Sequence, residues 1–309
     1  MLPVLEPWVL LFTPTAKEDL NFVANKVAIV TDTTACIPQE KVKEYDIELV
    51  PVDIIFEDKV YRDGIDLSPT EFYTLLRQAE KLPTTAHSSP IAYLGAYRKA
   101  SQRSNSILCI TLPAKLSGMF NSAQLAMAMA KEALPDVVIE VLDCSTAAAG
   151  QGLVVLAAAR AAASGKNLTE VVEVVRGLMH RVNLFATLDT LYYLVKGGRV
   201  PQAAALVNSI LKIKPIFTVN QGEVRTVALP RSTDNAIKHI LKIMKRRLVK
   251  GKPVHVAVMH ADALEQAKVL RDQISSLFNC VELFITEFTP VMGVHTGPGV
   301  IGVAFYSGD

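Results

Sequence analysis

The sequence predicts an α/β protein of two domains, the first a mostly parallel sheet with helices on both faces and the second a mixed or antiparallel sheet with helices. Three observations lead there. From Lys26 onward, short apolar runs alternate with helical stretches, the rhythm of parallel strands joined by crossover helices. Past Asn167 strands follow one another more closely, and one pair is joined by Asn220-Gln221-Gly222 in the manner of a hairpin. The chain has 309 residues, half of them apolar, which is enough for two modest domains with a substantial core.

In chain order, KVAIVTD reads as a buried strand, IPQEKVKEY as a short helix opened by Pro38, and IELVPVDIIF as a second strand, with FEDKVYRDG a turn and its return. Ser68-Pro69-Thr70-Glu71 is a capping box with proline at the first helical position, and its helix runs to about Lys81. Then follow the loop LPTTAHSSP, a helix from Ile91, a strand over 106–111, a helix after Ser117, the strand DVVIEVLD and an Ala-rich helix after Gly152. LFATLDT, the IKPIFTVNQGEVRTVAL hairpin, PVHVAVMHA, VELFITEF and GVIGVAFY are the later strands, with helices after Ser232 and Ala263. The boundary is expected near 165–183, giving an accessory segment over 1–25, a first domain over 26–175 and a second over 176–309.

Composition excludes several function classes. Thirty-two basic against 30 acidic side chains leave a net charge of +2, without the clustered stripe that nucleic-acid binding needs. The densest basic run, Lys242 to Lys252, ends a predicted helix, where cations suit the dipole. Cys36, Cys109, Cys144 and Cys280 are widely spaced and form no CxxC pair, so they read as free thiols of a reducing, cytoplasmic compartment. The apolar start of the chain lacks a basic n-region and contains Glu6 and two prolines, and reads as neither a signal peptide nor a membrane span. The six histidines are scattered, with no HxxxH or HExxH, so no metal site is expected. A GxxxxGK[ST] loop and a post-strand GxGxxG are both missing, which removes the usual support for a nucleotide cofactor.

What remains points to an anion. In KLSGMFNSA, Ser117-Gly118 sits where a strand gives way to a helix, so a hydroxyl and free backbone N–H groups gather at a helix N-terminus; a plain helix cap is the competing reading. A nucleophilic serine there would want GxSxG, and the text does not supply it. PTTAHSSP sets Thr84, Thr85, His87, Ser88 and Ser89 between two prolines; turn chemistry explains such a loop, and so does a set of neutral donors aimed at the same anion. In TLYYLVKGGRVP two glycines present Arg199 on a tight turn, either as a simple helix end or as a fork for phosphate or carboxylate. His295 stands in a Gly/Pro-rich loop before the last strand, a structural histidine or one beside a ligand. Asp32 and Asp143 follow strands at the sheet edge where ligands of α/β folds sit.

VTDTTACIP, YRDGIDLSPTEFY, PTTAHSSP, KLSGMFNSA, VLDCSTAAAGQG, LDTLYYLVKGGRV, LKIKPIF and HTGPGVIGVAFY, in this order over roughly residues 26–306, resemble the DegV family of fatty-acid-binding proteins, the acyl-carrying subunits of bacterial fatty acid kinase. The resemblance implies the EDD fold of two α/β domains, with a long-chain fatty acid in a tunnel and its tail within the first domain. By matching motif position it implies Thr85 and Ser117 as the carboxylate-binding residues, with Thr84, Ser89, Gly118 and Asn121 beside them. Arg199 and His295 are implied at the tunnel mouth, facing the partner and the acyl phosphate. His87-Ser88 replaces the Gln-Pro that the family's loop usually carries, which bears on loop shape while Ser89 keeps its hydroxyl.

The function so implied is that of a carrier rather than an enzyme, with no catalytic residue, no cofactor beyond the bound fatty acid, a separate ATP-dependent kinase as partner and at most transient membrane contact. Two other classes compete: a serine-type lipid or ester hydrolase using Ser117 and His295 with Asp32 or Asp143, and a lipid-sensing scaffold that needs no kinase.

Overall fold

The computed structural model describes residues 27–200 and 213–308. The segment 1–25 and the start of LKIKPIF lie outside the described residues.

β1 (Val27–Asp32) is buried along its whole length, as a strand covered on both faces must be. It lies inside a four-stranded parallel sheet of order β2-β1-β6-β7, with β2 Glu48–Val50, β6 Ser106–Thr111 and β7 Val138–Asp143. Pairing Val27 with Ser106 and Ser106 with Val138 sets all three strands in step, so their C-terminal ends finish together at Asp32, Thr111 and Asp143. The helices pack on this sheet in two pairs, α3 (Pro90–Ser101) with α4 (Met119–Ala133) and α5 (Ala148–Ala163) with α6 (Leu168–Met179).

Two expectations are corrected. IELVPVDIIF is two strands, because Pro51 has no N–H to continue a ladder. The chain leaves the parallel sheet after Val50 and enters a small antiparallel sheet as β3 (Asp53–Phe56). That sheet has the order β4-β3-β5, with β4 Lys59–Arg62 and β5 Thr84–Ala86. The supposed loop over 82–90 therefore holds a strand, whose Thr85 pairs with Ile54. α1 (Gln39–Glu44) and α2 (Pro69–Gln78) lie where expected, and the Ser68–Glu71 capping box closes in both directions.

The later part forms one mixed six-stranded sheet of order β10-β9-β8-β13-β11-β12. Its strands are β8 Asn183–Thr187, β9 Ile216–Asn220, β10 Glu223–Ala228, β11 Val254–His260, β12 Cys280–Glu287 and β13 Ile301–Ser307. β11 and β12 run parallel and the other pairs antiparallel. One face of this sheet packs on α8 (Thr233–Arg247) and α9 (Leu264–Leu277). The other belongs to a core continuous with the first sheet, through α5. Half-buried Glu282 of β12 ties the halves together by accepting from Lys41 at 3.2 Å and Arg160 at 3.1 Å. The four cysteines are free thiols, three of them buried and Cys280 partly so. Among the described residues, no helix is long and apolar enough to cross a membrane and no His, Cys, Asp and Glu cluster suits a metal.

Candidate functional site

Where the two sheets face each other lies a cavity of about 990 Å3 including its mouth, walled almost entirely by apolar side chains. The first half contributes Val52, Leu112, Leu116, Ala147 and Ala148; the second contributes Leu184, Ala186 and Leu188 from β8 and the loop after it, and Phe217, Val219 and Val224 from the β9–β10 hairpin. No residue of the Ala- and Met-rich α4 lines it; Ala123, Ala126 and Ala130 are spent on core packing. Among the described residues, the few polar ones that line it are Thr34, Thr85, Ser117, Arg199, His295 and Thr296, of which Thr85 and His295 are in direct contact.

Thr85, Ser117, Arg199 and His295 are each delivered by a different local device. Thr85 sits on β5, whose antiparallel pairing with β3 fixes its direction. Ser117 ends the turn after β6, its N–H bonded to the Pro113 carbonyl at 3.2 Å. The cap of α4 is Gly118, without a side-chain hydrogen bond, so the helix's positive end begins beside Ser117 with its first N–H groups unclaimed by a cap side chain. A Cβ on Gly118 would meet the His87 ring at 3.0 Å, so the His87 that departs from the family pattern packs on this turn.

His295 is not in a loop. Pro290, following Thr289, starts α10 (Pro290–Thr296), and His295 rides on its last turn. Gly297, at φ +70°, ends that helix against the Tyr193 ring of α7 (Tyr192–Lys196), where a Cβ would collide with the ring. Nε2 of His295 lies 3.0 Å from the Thr85 hydroxyl. Nδ1 is buried without a hydrogen-bond partner, against Gly197, where a side chain would stand 2.7 Å away. Burial, reinforced by the Arg199 charge, lowers the imidazole pKa to about 4, so the ring is neutral at physiological pH. A neutral ring carries one N–H. Placing it on Nε2 satisfies Thr85 and leaves at Nδ1 a bare lone pair rather than an orphaned donor.

Arg199 is exposed and donates to the Gly197 carbonyl at 2.8 Å, closing the turn that presents it. Together with His295 it also borders a shallow vestibule, which Lys81 and Lys196 line as well. Among the described residues lining this vestibule there is no carboxylate.

The other sequence candidates fall elsewhere. Thr84 is exposed in the vestibule rather than in the cavity. The Ser89 hydroxyl caps α3 by accepting from Ala92 N, and Asn121 is exposed in the first turn of α4; neither lines the cavity. Asp143 accepts from Ala114 N at 3.2 Å. Asp32 is fully buried and taken by Leu112 N at 2.8 Å, Gln151 Nε2 at 3.3 Å and the Thr34 hydroxyl, a staple that joins β1, β6 and α5. Burial pushes its pKa up, opposed by those hydrogen bonds. Sequence reasoning missed the hairpin valines and the vestibule lysines. Lys196 adjoins the GGR turn and was within reach, whereas nothing in the hairpin's alternation says what its inner face covers.

A model of the DegV family matches residues 26–308. The chain belongs to the DegV family. It is 32% identical over 280 residues to a DegV domain-containing protein of Caldanaerobacter subterraneus, covering 91% of this chain and 98% of that one. Among solved structures, the fatty-acid-binding DegV family protein from Thermus thermophilus superposes with a TM-score of 0.84 at 28% identity, covering 91% of this chain and 99% of that one. A stearic-acid-binding protein from Eubacterium ventriosum gives 0.83 at 26% identity, over 91% and 98%. The two-domain α/β architecture is thus shared with DegV proteins of known structure.

Proposed function

We propose that this chain binds a long-chain fatty acid, tail in the apolar cavity and carboxylate at Thr85 and Ser117, and presents that carboxylate to a separate ATP-dependent kinase, carrying the acyl phosphate that forms. The observation that carries this reading is the apolar cavity whose few polar lining residues include the Thr85 and Ser117 hydroxyls, Arg199 and the neutral His295 imidazole. Each buried CH2 contributes about 0.8 kcal/mol, so a palmitate-length tail supplies the affinity even after ordering costs. The head group then needs orientation more than attraction. With Nε2–H donated to its oxygen, the Thr85 hydroxyl is free to donate its own proton to the carboxylate.

The vestibule suits the product. Phosphorylation adds negative charge where Lys81, Lys196 and Arg199 converge, and a kinase could reach the carboxylate there without the tail leaving the cavity. In this reading residues 26–175 supply the hydroxyls and residues 176–309 close the site; the protein works in the cytoplasm, where its thiols stay reduced. The hydrolase reading loses support from the same geometry. A Ser117–His295 pair would need a carboxylate on Nδ1, and that atom has no partner among the described residues while Asp32 is committed to Thr34, Leu112 and Gln151.

The test is mass spectrometry of an organic extract of the denatured protein, followed by incubation with ATP and the kinase, with hydroxylamine trapping of acyl phosphate. A stoichiometric long-chain acid and a trapped hydroxamate are expected, the latter reduced in Arg199→Ala. An empty extract from a protein that also refuses added palmitate overturns the ligand; bound acid without hydroxamate overturns the kinase partnership and favours a lipid-sensing scaffold.

A further inference from the structure

One wall of the cavity is built unlike the rest. Phe217, Val219 and Val224 come from the β9–β10 hairpin, and among the described residues β9 is paired to the body of the sheet only through Ala186↔Phe217 and Thr187↔Ile216. From Thr218 to Arg225 the two strands pair only with each other. A register slip between Thr226 and Ala228 marks where the ribbon bends away from the sheet. Its outer residues Glu223, Arg225, Thr226 and Val227 are exposed, and Val219 and Val224 are half-buried. A free two-stranded ribbon of this kind is marginally stable.

Beyond the packing of Phe217, Val219 and Val224 on the core, two polar contacts at its tip hold it down. Gly222 N donates to the Ser145 carbonyl at 2.9 Å, and Glu223 accepts from Lys115 Nζ at 2.8 Å. Glu223 also accepts from Arg225, which belongs to the ribbon itself and anchors nothing. Gly222 has φ +70° and lies so close to the turn after β6 that a Cβ would stand 3.1 Å from Pro113 Cβ and 3.5 Å from Lys115 Cβ. This turn is the one that leads to Ser117, so the ribbon leans on the head-group end of the cavity.

We infer that the β9–β10 hairpin is the gate of the cavity, that the Lys115–Glu223 and Gly222–Ser145 contacts latch it shut, and that its lifting limits fatty acid exchange. The inference rests on the fatty acid reading above for its cargo, while the motion is a property of the chain. The polar part of the latch, one backbone hydrogen bond and one exposed ion pair, is weak and sensitive to salt, and the half-buried Val219 and Val224 supply the apolar part. Because lifting serves both entry and exit, loosening the latch raises both rates and leaves the equilibrium affinity nearly unchanged.

The experiment is exchange of a fluorescent polyene fatty acid, chased with excess oleate, in the wild type, in Glu223→Gln and in Lys115→Cys with Gly222→Cys. The 3.5 Å between the two Cβ positions is within disulfide reach, with Gly222→Cys held in a strained left-handed conformation. Dissociation about twofold to fivefold faster is expected in Glu223→Gln, with the rise in rate with ionic strength lost relative to the wild type. The double-cysteine variant lacks the Lys115–Glu223 pair, so when reduced it is expected to exchange at least as fast as Glu223→Gln, and oxidation is expected to slow it at least about tenfold from that rate. Unchanged exchange in the oxidised protein, its disulfide confirmed by mass, overturns the gate. Amide hydrogen exchange separates this from the cargo: Thr218–Arg225 should exchange faster than β8 and β13 with or without ligand, and become protected on oxidation. A wild type that takes up no fatty acid overturns the functional reading, whereas hairpin amides as protected as those of β13 overturn the gate.

Discussion

The Thr85 hydroxyl and Nε2 of His295 lie 3.0 Å apart across 210 residues of sequence. β5 supplies one and α10 the other, so the contact ties the small antiparallel sheet of the first half to the helix that leads into β13 of the six-stranded sheet.

Replacing Thr85 by valine keeps the shape and removes the hydroxyl. Hydrogen bonds to charged groups contribute about 1.5–3 kcal/mol, so palmitate affinity should fall about tenfold to a hundredfold. Thr85→Ser should retain most of it. Isothermal titration of the delipidated proteins distinguishes the two, and equal affinity for valine and serine variants would show that Thr85 does not hold the head group.

His295 makes a pH prediction. Its folded pKa of about 4 lies below the ordinary histidine value of 6.5, because burial and then Arg199 disfavour the imidazolium. The unfolded chain therefore binds more protons between those values, and stability is full above about pH 6.5 and is lost as pH falls toward 4. His295→Gln should flatten that part of a melting-temperature-against-pH curve. An identical slope in the variant would assign the acid loss to other groups.

Much of this architecture was legible in local chemistry. Parallel strands appeared as unbroken apolar runs such as Val27–Val30, and the Ser68 capping box and the Asn220-Gln221-Gly222 turn carried their own signatures. The small antiparallel sheet was not legible, because β5 is only Thr84–Ala86, a polar stretch that becomes a strand by pairing with β3. The site divides in the same way. Ser117, Thr85, Arg199 and His295 stand in unusual Gly-, Pro- or hydroxyl-rich words, and the fold brings all four to the lining of one cavity. Its apolar walls read as ordinary core from sequence, since a cavity is a failure of side chains to meet, and that is decided by packing rather than by residue type.

Cavity length can be tested from Ala186, a small wall residue on β8. Ala186→Leu adds three carbons to the wall, so the fatty acids extracted from the variant should shift to shorter chains, as read by mass spectrometry. An unchanged chain-length profile would place the tail along a different wall.

The last prediction runs against intuition. Asp63 is fully buried; one oxygen accepts from Val291 N at 3.1 Å in the first turn of α10, and the other has no hydrogen-bond partner. Burial raises its pKa from 3.8 to about 6, against the Thr33 hydroxyl, the Val291 N–H and the Thr289 hydroxyl, with the Asp32 charge adding to the rise. The folded state thus holds an extra proton between about pH 4 and 6. Its contribution is complete below that range and is lost as pH rises through it, a cost of about 3 kcal/mol for the ionised form at neutral pH. Asp63→Asn keeps the carbonyl that Val291 needs and removes the charge, so chemical denaturation above pH 7 should show it more stable than the wild type by about 1–3 kcal/mol, the gap closing at pH 4. Asp63→Ala should be less stable at both pH values, because Val291 N loses its acceptor and a void opens beneath the helix that carries His295. An asparagine variant weaker than the wild type at pH 8 would mean that the carboxylate's hydrogen bonds outweigh the cost of burying it.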